Sequence, residues 1–436
     1  MVNILENYFK LKEHGTNIKT EIIAGFATFM TMAYIIVVNP AILEAAGIPF
    51  GPSMVATIIS AIFGTLIMGI YANRPFAIAP YMGENAFVAY TVVGVLGYSW
   101  QTALGAVFIS GVLFTVLTIT GARGLMVKAI PNNLKYSFAV GIGLFITFIG
   151  LVNAGIVILG VEGAPVHVGV LNAPGVVLAI FGFILMGALL IKRIKGAILI
   201  GIIVTAVLAF ATGFANTPAK LVSMPPDIAP IFLQLDIAGA LSWGFFSVIL
   251  TMFTMDLLDT MGTLVGASAR AGFLDKDGNL PEIEKPMLAD SLATMFGAVV
   301  GTTTTGTFIE SATGIEEGGR TGLTAVVVAA LFALGLFLSP LFSAIPPVAT
   351  APALIIVGLL MISPIKNIDF EDYTEVIPAF AVIVLMSFTY NIGVGLCGGF
   401  VLFPLVKAID GKYKEIQPAA WVLFVLCLLF YIFYPY

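Results

Sequence analysis

The chain has 436 residues, of which 59% are apolar and only 10% charged, with net charge −5 and mean hydropathy +1.07. A soluble domain carries roughly 25% charged residues, so these few cannot cover a soluble fold of this length. The charges are scattered rather than gathered into a basic stripe, which excludes a nucleic-acid-binding protein.

The composition reads as an all-α polytopic protein of a lipid bilayer. Its 46 Gly and 34 Phe suit closely packed membrane helices. Cys397 and Cys427 lie in apolar runs without a CxxC spacing and read as buried thiols. His14 and His167 fall in polar connections, which supports neither a metal site nor a histidine-based catalyst, and no cofactor is expected. Residues 1–20 hold Lys10, Lys12 and Lys19 with two acids, and no small-residue cleavage site follows. The first apolar stretch is therefore expected to stay in the mature protein.

A spanning helix needs about 20 mainly apolar residues. In chain order such runs lie near 20–45, 52–72, 100–121, 135–158, 174–191, 196–213, 237–266, 286–302, 321–343, 348–363, 375–390, 392–408 and 417–434. Two more, about 83–97 and 309–318, are too short or interrupted to span alone. Counted together they make fifteen segments, with the short ones third and tenth. The basic residues test that threading. Lys10, Lys12 and Lys19 precede segment 1. Connections after even segments hold Arg74, then Arg123, Lys128 and Lys135, then Lys192, Arg193 and Lys195, then Arg270, Lys276 and Lys285. They continue with Arg320, with Lys366, and with Lys407, Lys412 and Lys414. Connections after odd segments hold only Lys220. The positive-inside rule then puts the N-terminus and the even connections in the cytoplasm, and both short segments count as crossings.

Fourteen segments divide into two seven-segment halves, 18–220 and 236–414. An odd number of crossings per half makes them inverted repeats, the pattern of secondary transporters. The fifteenth segment, 417–434, either spans or lies along the surface. Each short segment follows a stretch hostile to helix: Arg74-Pro75-Phe76-Ala77-Ile78-Ala79-Pro80, and Gly301-Thr302-Thr303-Thr304-Thr305-Gly306-Thr307. Extended backbone at membrane depth needs protein around it or a cavity beside it. The two stretches can pair as short antiparallel strands, leaving half-helices 3 and 10 facing a central site.

Ionisable residues inside membrane segments are costly and usually functional. Here they are Glu84 in half-helix 3, with Asn85 beside it, Asp256 and Asp259 in segment 8, Asp290 in segment 9, and Glu310 opening half-helix 10. Asp256 and Asp259 share a helix face. Glu310 and Asn85 are read as occupying matching places in the two repeats, where free N–H groups favour an anion or a polar ligand. Structural alternatives stand beside these readings: Asp256 bonding a neighbouring helix, Asp290 bracing one, Glu84 facing a watery vestibule. Glu316, Glu317 and Arg320 read as a solvated rim.

These motifs resemble the nucleobase–cation symporter family of the nucleobase/ascorbate transporter superfamily, in its AzgA-like branch of adenine, guanine and hypoxanthine permeases. The resemblance runs from Thr20–Pro40 through Gly83–Phe87 and Leu258–Leu264 to Ile309–Ile315 and Gly318–Val328. It implies fourteen segments. A core domain would take 20–122 and 237–343 (segments 1–4 and 8–11), a gate domain 123–220 and 344–436, with 1–19 cytoplasmic. It implies that Asp259 and Glu310 are the purine-binding acids and that Asn85 and Asp290 match further functional positions. Beside that carry-over, Asn85, Phe87, Ile309 and Ser311 are taken as substrate contacts, and Asp256, Asp290 and Glu84 as proton-coupling groups or supports of the site. Which of Asp256 and Asp259 matches the binding acid stays open, the Asp-Thr pair favouring Asp259. The chain departs from the family twice. It lacks the segment 1 histidine of the ascorbate/uric-acid branch, and it has Glu84 where the branch often has an apolar residue, which leaves the purine open.

The expectation is a multi-pass cell-membrane importer of purine bases, coupled to H⁺ with Na⁺ as the other candidate, working singly or as a homodimer. A carboxylate can accept two adjacent N–H groups of a flat purine, and Phe76, Tyr81, Phe87 or Phe308 can stack on its face. A uracil, xanthine or other nucleobase carrier is the alternative on this scaffold. No HExxH, GxSG or GxGD motif supports an intramembrane enzyme, and a receptor or structural role leaves the buried acids unexplained.

Overall fold

The computed structural model describes residues 2–121, 130–161, 164–218, 220–242, 245–276 and 280–434. Arg123 and Lys128, used in the charge count, lie outside them. Among the described residues nine helices are long and apolar enough to cross a membrane, and three shorter apolar helices accompany them.

Segment 1 is two helices, α1 (Ile18–Met32) and α2 (Ile35–Glu44), divided at Ala33–Tyr34. Then come α3 (Phe50–Ile70), strand β1 (Ile78–Pro80), α4 (Met82–Ala86), which runs on as a π-helix over Phe87–Val95, and α5 (Trp100–Thr120). After α6 (Asn132–Asn153) come β2 (Val157–Val161) and β3 (Ala164–Val168), then α7 (Pro174–Ile191) and α8 (Ala197–Ala211). The second half holds α9 (Phe246–Ala271), α10 (Glu284–Val300), β4 (Thr305–Thr307) and α11 (Ser311–Glu316). It ends with α12 (Gly322–Gly335), α13 (Pro347–Met361), α14 (Tyr373–Phe388), α15 (Ile392–Ile409) and α16 (Pro418–Phe433).

Two expected bounds shift. Segment 5 stops at Asn153 because Gly155 (φ +71°) ends the helix, and Val157–Val161 joins an antiparallel pair with β3 instead. Segment 8 begins at Phe246; residues 237–240 form a separate turn.

The strand pairing is the centre of the molecule. β1 runs antiparallel to β4 in the register Ile78↔Thr307, Ala79↔Gly306, Pro80↔Thr305, every residue buried. The ladder continues at both ends: Tyr81 N donates to Thr304 O and Phe308 N to Ala77 O, each at 2.9 Å. One hydroxyl clamps each strand from the preceding helix. Thr65 of α3 accepts from Ile78 N (2.9 Å) and donates to Ile78 O (3.1 Å). Thr294 of α10 does the same to Thr305, at 3.2 and 3.1 Å. These bonds satisfy main-chain groups that lipid could not. They also repeat one design in both halves.

Helix packing relies on close backbone approach. A Cβ on Gly322 of α12 would lie 1.8 Å from the Gly69 carbonyl of α3, and one on Gly358 of α13 would lie 2.4 Å from the Gly143 carbonyl of α6. Only glycine fits there. α3 packs on α10 and α12, and α10 on α5; α6 packs on α13 and α14, and α13 on α7. At the start of α14, Asp372 accepts from the Thr374 hydroxyl and N–H, which, with Lys412 and Lys407 near, hold its carboxyl down to about 2.

Glu21 ties α1 to the start of α12. Its buried carboxylate accepts from Arg320 N (2.9 Å), Thr321 N (3.3 Å), Thr324 N (3.1 Å) and Thr324 Oγ1 (2.6 Å). It neutralises the orphan donors and the positive end of α12. Glu21→Ala strands those donors and is expected to cost about 2–3 kcal/mol, read as a lower melting temperature in detergent by fluorescence-detected size exclusion. An unchanged melting temperature would refute the role.

Candidate functional site

The strands position the site by ending where the half-helices begin. Pro80 closes β1, and Tyr81 caps α4. Thr307 closes β4, and Glu310 caps α11. The two-fold that exchanges the paired strands carries Ile78 onto Thr305 and Pro80 onto Thr307. Continued along the chain, it carries Tyr81 onto Phe308, Gly83 onto Glu310 and Glu84 onto Ser311. The expected match of Glu310 with Asn85 is therefore two residues out of register. The Tyr81 and Phe308 rings lie parallel (3°) with centroids 6.1 Å apart. Phe76 packs away from them against Phe273.

The acids differ in access. Glu84, Asp256 and Asp290 are fully buried, whereas Asp259 and Glu310 keep accessible surface. From Asp259 the accessible face of α9 continues through Gly262, Thr263 and Gly266 to Ala269 and Arg270; Met252, Met255 and Asp256 on the preceding turns are sealed. A Cβ on Gly262 would meet nothing within 4 Å, and one on Gly266 only the Ile309 side chain at 3.4 Å. Ile309 itself is 43% exposed. The accessible face of α9 thus runs from Asp259 towards the Arg270 end of the helix, with Ile309 against it.

The buried polar groups build a frame. Asp290 Oδ2 accepts from Thr307 N (3.1 Å) and Oδ1 from Thr307 Oγ1 (2.8 Å), so this acid holds β4. Asp256 accepts from the Thr260 hydroxyl at 3.4 Å, and the Thr294 hydroxyl that holds Thr305 lies 3.4 Å from its other oxygen. The Ser311 hydroxyl accepts from Ala77 N at 2.9 Å and ties α11 to the first strand. Phe87 is buried in the apolar core at the start of the π-helix.

Two residues escape sequence reasoning. The Tyr34 hydroxyl, at the break between α1 and α2, donates to Glu310 Oε1 at 2.6 Å. Asn39 of α2 accepts from Asn85 Nδ2 and donates to Thr57 (2.7 Å) and Thr302 (3.0 Å). Both lie in an apolar run, where an isolated polar residue is the available signal.

A bundle of membrane helices with two broken by paired strands, and acids gathered around the break, defines a polytopic membrane transporter. Its fold matches the transmembrane domain of a cyanobacterial bicarbonate transporter, BicA, with a TM-score of 0.64 and 16% identity, covering 87% of this chain and 96% of that one. The family model Xan_ur_permease, the Permease family, matches residues 19–396, and the chain belongs to that family. The guanine/hypoxanthine permease PbuO of Bacillus subtilis is 46% identical over 97% of this chain and 99% of its own length. The adenine permease AdeP of Escherichia coli is 40% identical over 99% of this chain and 96% of its own. These relatives are permeases, not enzymes.

Proposed function

We propose that the protein imports purine nucleobases (hypoxanthine, guanine or adenine) across the cell membrane by proton symport. The observation that carries this reading is the pair of accessible acids, Asp259 and Glu310, beside the paired strands, in a chain whose relatives are named guanine/hypoxanthine and adenine permeases. Asp259 and Glu310 accept purine N–H groups. Asn85, Phe87, Ile309 and Ser311 complete or position the site, and Asp256 and Asp290 support it. With the N-terminus cytoplasmic, the Arg270 end of α9 is the inner end, and the accessible face of α9 reads as an inward-facing state. Fourteen segments cross the membrane; those of 20–122 and 237–343 rock against a gate formed by 123–220 and 344–436. The packing of α6 on α13 and α14, apart from the α3–α10–α12 cluster, supports that division.

The test is uptake of tritiated hypoxanthine, guanine and adenine in cells lacking their own base permeases. Saturable uptake competed by unlabelled purines is expected. Saturable uptake of labelled uracil or xanthine, with none of hypoxanthine, guanine or adenine, would replace this reading with the alternative nucleobase carrier.

A further inference from the structure

Glu84 is the acid that the frame leaves over. It is fully buried, and among the described residues no donor from another residue reaches either of its carboxyl oxygens. Its two-fold counterpart Ser311 accepts from the Ala77 N–H; Glu84 takes no such bond, so it does not serve the strand pair. The polar group it touches is another acid, the Asp259 carboxyl, at hydrogen-bonding reach. The ionisable groups facing it are Asp259 and Asp256 of α9. The other helices packed on α4 are α2 and α6, which bring Asn39 against Asn85 and Ile142 against Gly83. Their own ionisable residues, Glu44, Lys135 and Tyr136, lie near helix ends.

Two carboxylates are both acceptors and cannot hydrogen-bond to each other. One proton between them turns the contact into a charge-assisted bond, and carboxyl pairs elsewhere share a proton in this way. Resting on the transport reading above, we propose that Glu84 carries the co-transported proton, sharing it with Asp259 across a carboxyl–carboxylate hydrogen bond. On the outer side Asp259 takes a proton from water, so that before purine binds the pair holds one proton and one negative charge. When a purine N–H approaches Asp259, the proton moves: an O–H bond on Asp259 breaks and one on Glu84 forms, with no atom lost. Asp259, now a carboxylate, accepts from Glu84 with one oxygen and from the purine with the other. On the inner side the proton passes from Glu84 back to Asp259 and from Asp259 to water. Two carboxylates are left in contact, and Asp259 loses the donor that oriented it. Proton and purine therefore leave together. The buried position of Glu84 behind the accessible Asp259 suits a carrier reached only through its partner.

Glu84→Gln separates the proton from the hydrogen bond, because its amide N–H donates to Asp259 permanently. The assay uses purified full-length protein in proteoliposomes with tritiated hypoxanthine, pyranine for internal pH, and size exclusion to verify the fold. For the wild type, one proton per purine across one pH unit allows up to about tenfold accumulation. In Glu84→Gln that ratio is expected to fall to about one, with the pyranine signal lost and hypoxanthine exchange still measurable. Retained pH-driven accumulation in the variant would overturn the proposal. So would loss of exchange in monodisperse protein, or wild-type accumulation driven by a Na⁺ gradient. Absence of purine exchange in the wild type would instead refute the transport reading itself.

Discussion

Glu310→Gln is expected to lower the affinity for purine by two orders of magnitude or more, with the protein still folded. One Glu310 oxygen already accepts from the Tyr34 hydroxyl, and the residue keeps accessible surface beside the paired strands. A purine meeting it presents N–H donors. Glutamine keeps the size and the Tyr34 bond, but it loses the charge and turns an acceptor into a donor against those N–H groups. A hydrogen bond to a charged group contributes about 1.5–3 kcal/mol, and setting donor against donor adds a desolvation cost. About 3 kcal/mol corresponds to a hundredfold or more in Kd. Asp259→Asn is expected to fall in the same range. Tyr34→Phe, which removes only the orienting bond, should cost about tenfold. The measurement is competition by unlabelled hypoxanthine against labelled uptake, normalised to surface expression. Wild-type affinity in both Glu310→Gln and Asp259→Asn would remove these acids from the site.

Much of this geometry is legible in the sequence, for a physical reason. Pro75 and Pro80 lack the N–H a helix needs, and the run Thr302–Thr305 is β-branched. Both stretches therefore declare themselves extended, as the β1–β4 pair is. What the sequence does not carry is register. Glu310 and Asn85 both open half-helices, and local pattern makes them equivalent. Only the ladder Ile78↔Thr307 shows that Glu310 answers to Gly83. Register also decides that Ser311 faces the Ala77 N–H while its counterpart Glu84 faces an acid. Contacts across long stretches of chain are equally silent. Tyr34 and Glu310 are 276 residues apart, and Asn39 and Asn85 are 46 apart. In an apolar run such residues look like packing until the fold brings their partners. The β2–β3 pair is missed for the opposite reason: Val157–Val161 is apolar, and a short apolar run reads alike as helix end or strand.

Asp290→Ala is expected to have the largest effect on the folded state, because this acid makes a strand possible at membrane depth. Its two oxygens take the N–H and the hydroxyl of Thr307, the residue that pairs with Ile78. Thr294, one helical turn along α10, takes the N–H and carbonyl of Thr305. The two side chains thus hold both ends of a three-residue strand. Alanine leaves two buried donors without acceptors, each costing about 1–3 kcal/mol. Together that is a large share of the stability of an ordinary domain, roughly 5–15 kcal/mol. The expected result is a sharp fall in surface expression and melting temperature, with no uptake from what remains. Asp290→Asn keeps one carbonyl acceptor for the Thr307 N–H and should retain a folded fraction. Thr294→Val, isosteric but without the hydroxyl, should be intermediate. If Asp290→Ala folds and transports like the wild type, β4 does not depend on this acid. The order alanine, valine, asparagine, from most to least damaging, is the signature of a strand held by side chains.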